Sequence, residues 1–127
     1  MAQPAQTVSL QAFRRPGLAP SVEESAALET SSVIHAGPGI LYGLVGYSNR
    51  SSAQFIQIFN STTVPDDATV PQMILRVGPQ SNFEFDLTPY ARYFSTGMAW
   101  SNSSTAATKT IGAADCWVTA FFTTRNE

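Results

Sequence analysis

From residue 31 onward the apolar positions recur with a period of two, and no window carries the 3.6-residue repeat of an amphipathic helix. The cleanest case is "SNFEFDL", residues 81 to 87. Phe83, Phe85 and Leu87 share one face there, and Asn82, Glu84 and Asp86 share the other. Similar runs are "SSVIHA", "ILYGLVGY", "AQFIQIF", "QMILRV" and "RYFSTGMAWS". The last run is "TKTIGAADCWVTAFFTT", residues 108 to 124. Between them stand turn-forming segments: Gly37-Pro38-Gly39, "NRSS", "PDDATVP", Gly78-Pro79, Pro89 and "NSSTAATK". About eight short strands at this spacing predict an all-β fold, a single antiparallel β-sandwich with the jelly roll as its leading form.

Residues 1–30 differ from the rest. Thr7 to Phe13 alternates Val8, Leu10 and Ala12 and predicts an edge strand. Beyond it, Pro16 and Pro20 fix φ and remove two backbone donors, so the segment is expected to run as an extended arm. "SVEESAALE" has a capping serine and two early acids, which predict one or two helical turns. The chain is thus expected to divide into an arm, residues 1–30, and a sandwich, residues 31–127.

Composition narrows the partners. Of 127 residues, 43% are hydrophobic and only 13% charged, against roughly 25% in an average domain. Such a chain is too apolar for disorder and is expected to carry uncharged polar surface or to be covered by partners. Its net charge of −2, with basic residues scattered, gives no electrostatic footprint for nucleic acid. The single cysteine excludes an internal disulfide, and zinc would need more than Cys116 and His35. The amino terminus has no basic region followed by an apolar run, and no window nears the ~18 apolar residues of a membrane helix. No membrane partner and synthesis in a reducing cytoplasm are therefore expected. The Asn-X-Ser/Thr triplets at Asn49, Asn60 and Asn102 then read as polar loop residues.

Three groupings raise the question of chemistry. Read as a strand, the last run puts Cys116, Val118, Ala120 and Phe122 on a small, apolar, core-facing row. Asp115, Trp117, Thr119 and Phe121 face the other way. Cys116 is then buried filler, and a pair with His35 would have to form across strands. Asp66-Asp67 offers two carboxylates where calcium wants six or more oxygens, so a solvated turn is expected. Glu84 and Asp86 stand about 7 Å apart by strand geometry, a spacing that half-solvated strands share with sugar-cleaving pairs. No catalytic, metal or cofactor-binding residue is assigned, and no enzyme activity is expected. What stands out instead is Phe55, Phe59, Trp117 and Phe121 on the faces opposite the aliphatic rows. They mark either a partner surface or a face beneath loops or the arm.

The elements "SNFEFD", "FSTG" and "TKTIGAADCWVTA", within residues 40–122, resemble those of small virion proteins of tailed bacteriophages. The resemblance implies a jelly roll on the capsid exterior, a head decoration (cement) protein made in the host cytoplasm and needing no cofactor. Its implied partners are the major capsid protein, between whose subunits it would bind, and copies of itself in a dimer or trimer. On that reading the arm lies against the capsid or a sister subunit. Phe13 would act as an apolar plug, with Arg14 and Arg15 as carboxylate-binding forks. The alternative is a receptor- or glycan-binding module of a tail fibre, to which the polar loop 102–109 and exposed aromatics would suit.

Overall fold

The structure, a computed structural model, describes residues 20–124. Its strands are β1 (Ser21–Glu24), β2 (Ser31–His35), β3 (Gly39–Ser48), β4 (Gln54–Phe59), β5 (Met73–Val77), β6 (Ser81–Asp86), β7 (Arg92–Phe94), β8 (Met98–Ser103) and β9 (Cys116–Thr124). They form two antiparallel sheets. Sheet A has the order β1-β9-β3-β6, with β7 also on β3, and sheet B has the order β2-β8-β4-β5.

That order follows from rolling up one long hairpin. First against last gives β1 with β9, then β2 with β8, β3 with β6, and β4 with β5 at the tip. Rolling the hairpin adds β9 to β3 and β8 to β4, closing each group of four into a sheet. The result is the jelly roll, with β7 as an extra short strand that pairs with Gly39–Leu41 of β3, end to end with β6 along the same edge. "RYFSTGMAWS" is therefore two strands. It breaks at 95–97, where the chain leaves sheet A for sheet B, and a Cβ on Gly97 would lie 2.6 Å from the Ser61 carbonyl oxygen.

The inward rows meet in one core. Leu41, Leu44, Val118 and Phe122 of sheet A pack with Ile34, Ile56, Ile58 and Trp100 of sheet B. Gly46 makes room for that packing: a Cβ there would sit 2.1 Å from the Trp117 carbonyl oxygen and 2.5 Å from the Phe83 ring.

Two expectations are corrected at the amino-terminal side. "SVEE" is strand β1 and not a helical turn, because pairing Val22 with Phe121 and Glu24 with Thr119 satisfies its backbone on the edge of β9. Residues 20–30 also belong to the sandwich and not to an arm. The Ser25 amide donates to the Val118 carbonyl, Glu29 and Cys116 exchange amide–carbonyl bonds of 2.7 and 3.1 Å, and the Asn102 amide donates to the Thr30 carbonyl. A truncation to residue 30 would therefore remove an edge strand. Phe13, Arg14 and Arg15 lie outside the described residues.

Candidate functional site

The two sheets differ on their outward faces. Every residue of β8 is buried, on the outward row as well as the inward one. Two loops cover that side. In loop 104–115, Gln57 Nε2 donates to the carbonyls of Thr105, Ala106 and Thr108, and Ser103 Oγ donates to the Thr105 carbonyl. Loop 60–72 joins it through Ala68 and Lys109, whose amides donate to the Lys109 and Thr69 carbonyls respectively. Lys109, 5% exposed, donates from Nζ to Asp67 Oδ1 at 3.0 Å.

This corrects one sequence-based expectation and locates a second feature. Phe59 is 2% exposed and Phe55 half-buried, so the outward row of β4 is the underside of a covered face. Loop 102–109 starts inside β8 and is pinned to Gln57 and Ser103. Its residues 104–108 stand exposed above those anchors. The sequence left partner surface and loop-covered face open for these aromatics, and for Phe59 the second holds.

Asp67 is more than a solvated turn residue. The bond from Lys109 Nζ, followed by the bond from the Ile111 amide, holds its carboxyl below the usual carboxylate range. A depressed pKa stabilises the fold above the ordinary carboxyl value near pH 4, and that stabilisation is lost as pH falls through the lower folded value. Acidification below about pH 4 is therefore expected to loosen the two loops first. Faster hydrogen exchange at the Ala68 and Lys109 amides, ahead of the β9 amides, would register this. Simultaneous loss of protection would oppose it.

One end of the core holds the densest polar cluster. Gln54 Nε2 donates to Ser48 Oγ at 2.8 Å, Asp115 Oδ1 at 3.0 Å and Cys116 Sγ at 3.2 Å. Asn102 Nδ2 donates to the Ala113 carbonyl at 2.6 Å, and the Cys116 thiol donates to Asp115 Oδ1 at 3.3 Å. Burial, then the bond to Asp115, pushes the thiol pKa up to about 12. At neutral pH Cys116 is a protonated, packed thiol and no nucleophile. His35 is far away: it stacks on Phe122 at 5.4 Å between ring centroids, six residues along β9 from Cys116, or about 20 Å by strand rise. Native protein at pH 8 is expected to resist iodoacetamide until denaturant is added. Labelling of native Cys116 at the rate of a free thiol would contradict the packing. The raised pKa also stabilises the fold below the ordinary thiol value of 9.0, and that contribution is lost as pH climbs toward 12.

Sheet A's outward face is open, and its register lays out three cross-strand rows. Asn82, Tyr47 and Trp117 form the first; Glu84, Val45, Thr119 and Glu24 the second; Asp86, Gly43, Phe121 and Val22 the third. Val22, Val45, Tyr47 and Trp117 are all exposed, Trp117 at 39%. Two grooves divide the face. One of about 590 Å³ lies between Tyr47, Trp117, Asn82, Glu84 and Thr119. The other, about 370 Å³, runs from Pro20 and Phe121 over Gly43 to Phe85, Glu84 and Asp86. Thr88 donates to Asp86 Oδ1 from hydroxyl and amide, at 2.6 and 3.0 Å, and holds that carboxyl below its ordinary range. Nearby, Tyr90 projects 90% exposed from the turn after β6, whose Tyr90 and Ala91 amides both donate to the Leu87 carbonyl.

Glu84 and Asp86 share the solvent face, as the alternation of β6 requires, and Trp117 lies outward on β9 as expected. Tyr47 and Tyr90 were not picked out by the sequence. The face of Tyr47 could not be counted along "ILYGLVGY", because the β3–β9 register shifts between Leu41 and Gly43. Among the described residues no cluster of three or more metal-ligating side chains forms, and no helix is long and apolar enough to cross a membrane. Comparison with known proteins finds no matching family model, no matching curated protein and no matching solved structure.

Proposed function

We propose that this chain is a structural virion protein of a tailed phage, a decoration protein that works by burying the open face of sheet A against capsid subunits or sister copies. One observation carries the binding part of this reading: loops cover β8 and β4 in the middle of sheet B, leaving only Ile74 as a large apolar side chain exposed on its edge strand β5, while sheet A groups Trp117, Tyr47, Val45 and Val22 on a face open to solvent. Soluble domains rarely leave aromatic and β-branched side chains grouped on a sheet face without a use for them. The virion assignment rests on the resemblance of "SNFEFD", "FSTG" and "TKTIGAADCWVTA". A shell suits such a chemistry, since many equivalent weak contacts sum to firm retention.

The test is location. Gold-labelled antibody against the chain, applied to purified particles of the phage that encodes it, is expected to mark the head exterior. Labelling of tail fibres only, or no chain in the particles, would refute the decoration role.

A second reading, binding of a host glycan, is favoured by the groove in which Trp117 and Tyr47 adjoin Asn82, Glu84 and Thr119. Aromatic faces stack on sugar rings, and the carboxylate and amide can bond to hydroxyls. Saturable binding of the isolated protein to host cells, with none to heads, would decide for it.

A further inference from the structure

We propose that the surface covering sheet A belongs to a protein that carries arginine or lysine on both sides of an apolar strip, and is not the same face of a second copy. This rests on the reading of sheet A as the contact and names the chemistry of its partner.

The side chains are ordered across that face. From β1 to β6 the second row runs Glu24, Thr119, Val45, Glu84, with a carboxylate at each edge. Trp117 and Tyr47 stand beside its middle in the first row, and Asp86 extends the acidic edge in the third. The two edges are three strand spacings apart, about 14 Å. An apolar centre inside a polar rim is the anatomy of a protein contact. Here the charges of the rim have one sign.

The described cations lie elsewhere. Arg50, in the turn after β3, donates to Ser52, and Arg76 is exposed on β5 of sheet B. Arg92 lies over the Phe94 ring and donates to Gln72 Oε1, and Lys109 donates to Asp67. Among the described residues Lys109 with Asp67 is the one ion pair, so Glu24, Glu84 and Asp86 have none. Thr88, by its two bonds to Asp86, favours the charged form of that carboxyl. Two copies meeting by this face would set carboxylates against carboxylates, whereas a basic rim would complement them.

The aromatics favour arginine among the cations. Glu84 lines the same groove as Trp117 and Tyr47, about 590 Å³ in volume. A guanidinium is flat, is attracted to the face of an indole or phenol ring, and forks onto a carboxylate. All three partners for such a group are present in that groove.

The experiment sediments the full-length chain with purified heads at about 0.1 and about 1 M salt, between which the screening length falls from about 10 to about 3 Å. Wild-type binding should weaken at the higher salt. Glu84→Gln/Asp86→Asn and Glu24→Gln should each weaken binding about fivefold at the lower salt, the scale of exposed charge pairs, and should blunt the salt response. All three are exposed strand positions, and melting curves check that the variants fold. If these variants bind as wild type while Trp117→Ala does not, the proposal is overturned and the sheet A contact stands. If no form binds heads, both fall. Nuclear Overhauser contacts between Trp117 and Tyr47 of differently labelled copies would also overturn the proposal, since the face would then cover itself.

Discussion

Replacing Trp100 with alanine is expected to cost about 3–5 kcal/mol and to lower the melting temperature by about 15 °C for a domain of this size. Trp100 is the largest fully enclosed side chain, 2% exposed, on the inward row of β8. Its register partners are Ser32 on β2 and Ile58 on β4, so it stands between both neighbours of its sheet and faces the rows of sheet A. The backbone around it is fixed by ladders on both sides, so the cavity cannot collapse far. Denaturant unfolding should show the midpoint falling with little change in slope. A loss below about 1 kcal/mol would mean that the core is not held by this packing.

The other tryptophan should behave in the opposite way. Trp117 and Tyr47 are register partners on the outward face of sheet A, and each is more than a third exposed. Trp117→Ala is expected to change stability by about 1 kcal/mol or less. Association with the partner should weaken by about 30-fold or more per contact, the roughly 2 kcal/mol scale of an aromatic hot spot. Tyr47→Ala should act likewise. Ile74→Ala, at an exposed position on β5 of sheet B, should leave association unchanged. Sedimentation of the variants with purified heads, beside melting curves, separates the effects. If Trp117→Ala associates as well as wild type, this face is not the contact.

The contrast between the two tryptophans also shows where sequence reasoning reached and where it stopped. Alternation along "SNFEFDL" and "CWVTAFF" fixed which side chains turn inward, because a strand's period of two leaves only two faces. Cys116, Val118, Ala120 and Phe122 are buried and Trp117 is not, as that count requires. The same count separated Ile56 and Ile58 from Phe55 and Phe59 correctly. It could not say what lies above the second row, since that depends on loops far away in sequence. Phe59 is buried on the roofed sheet, while Gln57 holds three carbonyls 48 to 51 residues later.

Elsewhere a local signal yielded to a tertiary one. The capping serine and acids of "SVEES" favour a helical turn, but the free edge of β9 offers four register partners and wins. The break in "RYFSTGMAWS" was hidden because β7 and β8 are both extended and differ only in the sheet they join. Tyr47 was missed because the register shift in β3 and Gly43 interrupt the alternation that would have placed it outward.

The most direct measurement of the proposed role is a density map of phage heads saturated with this protein. The account predicts Trp117 and Tyr47 buried against a neighbouring subunit, with loops 60–72 and 104–115 turned to solvent. A map in which those loops make the contact and sheet A's outward face stands bare would contradict it.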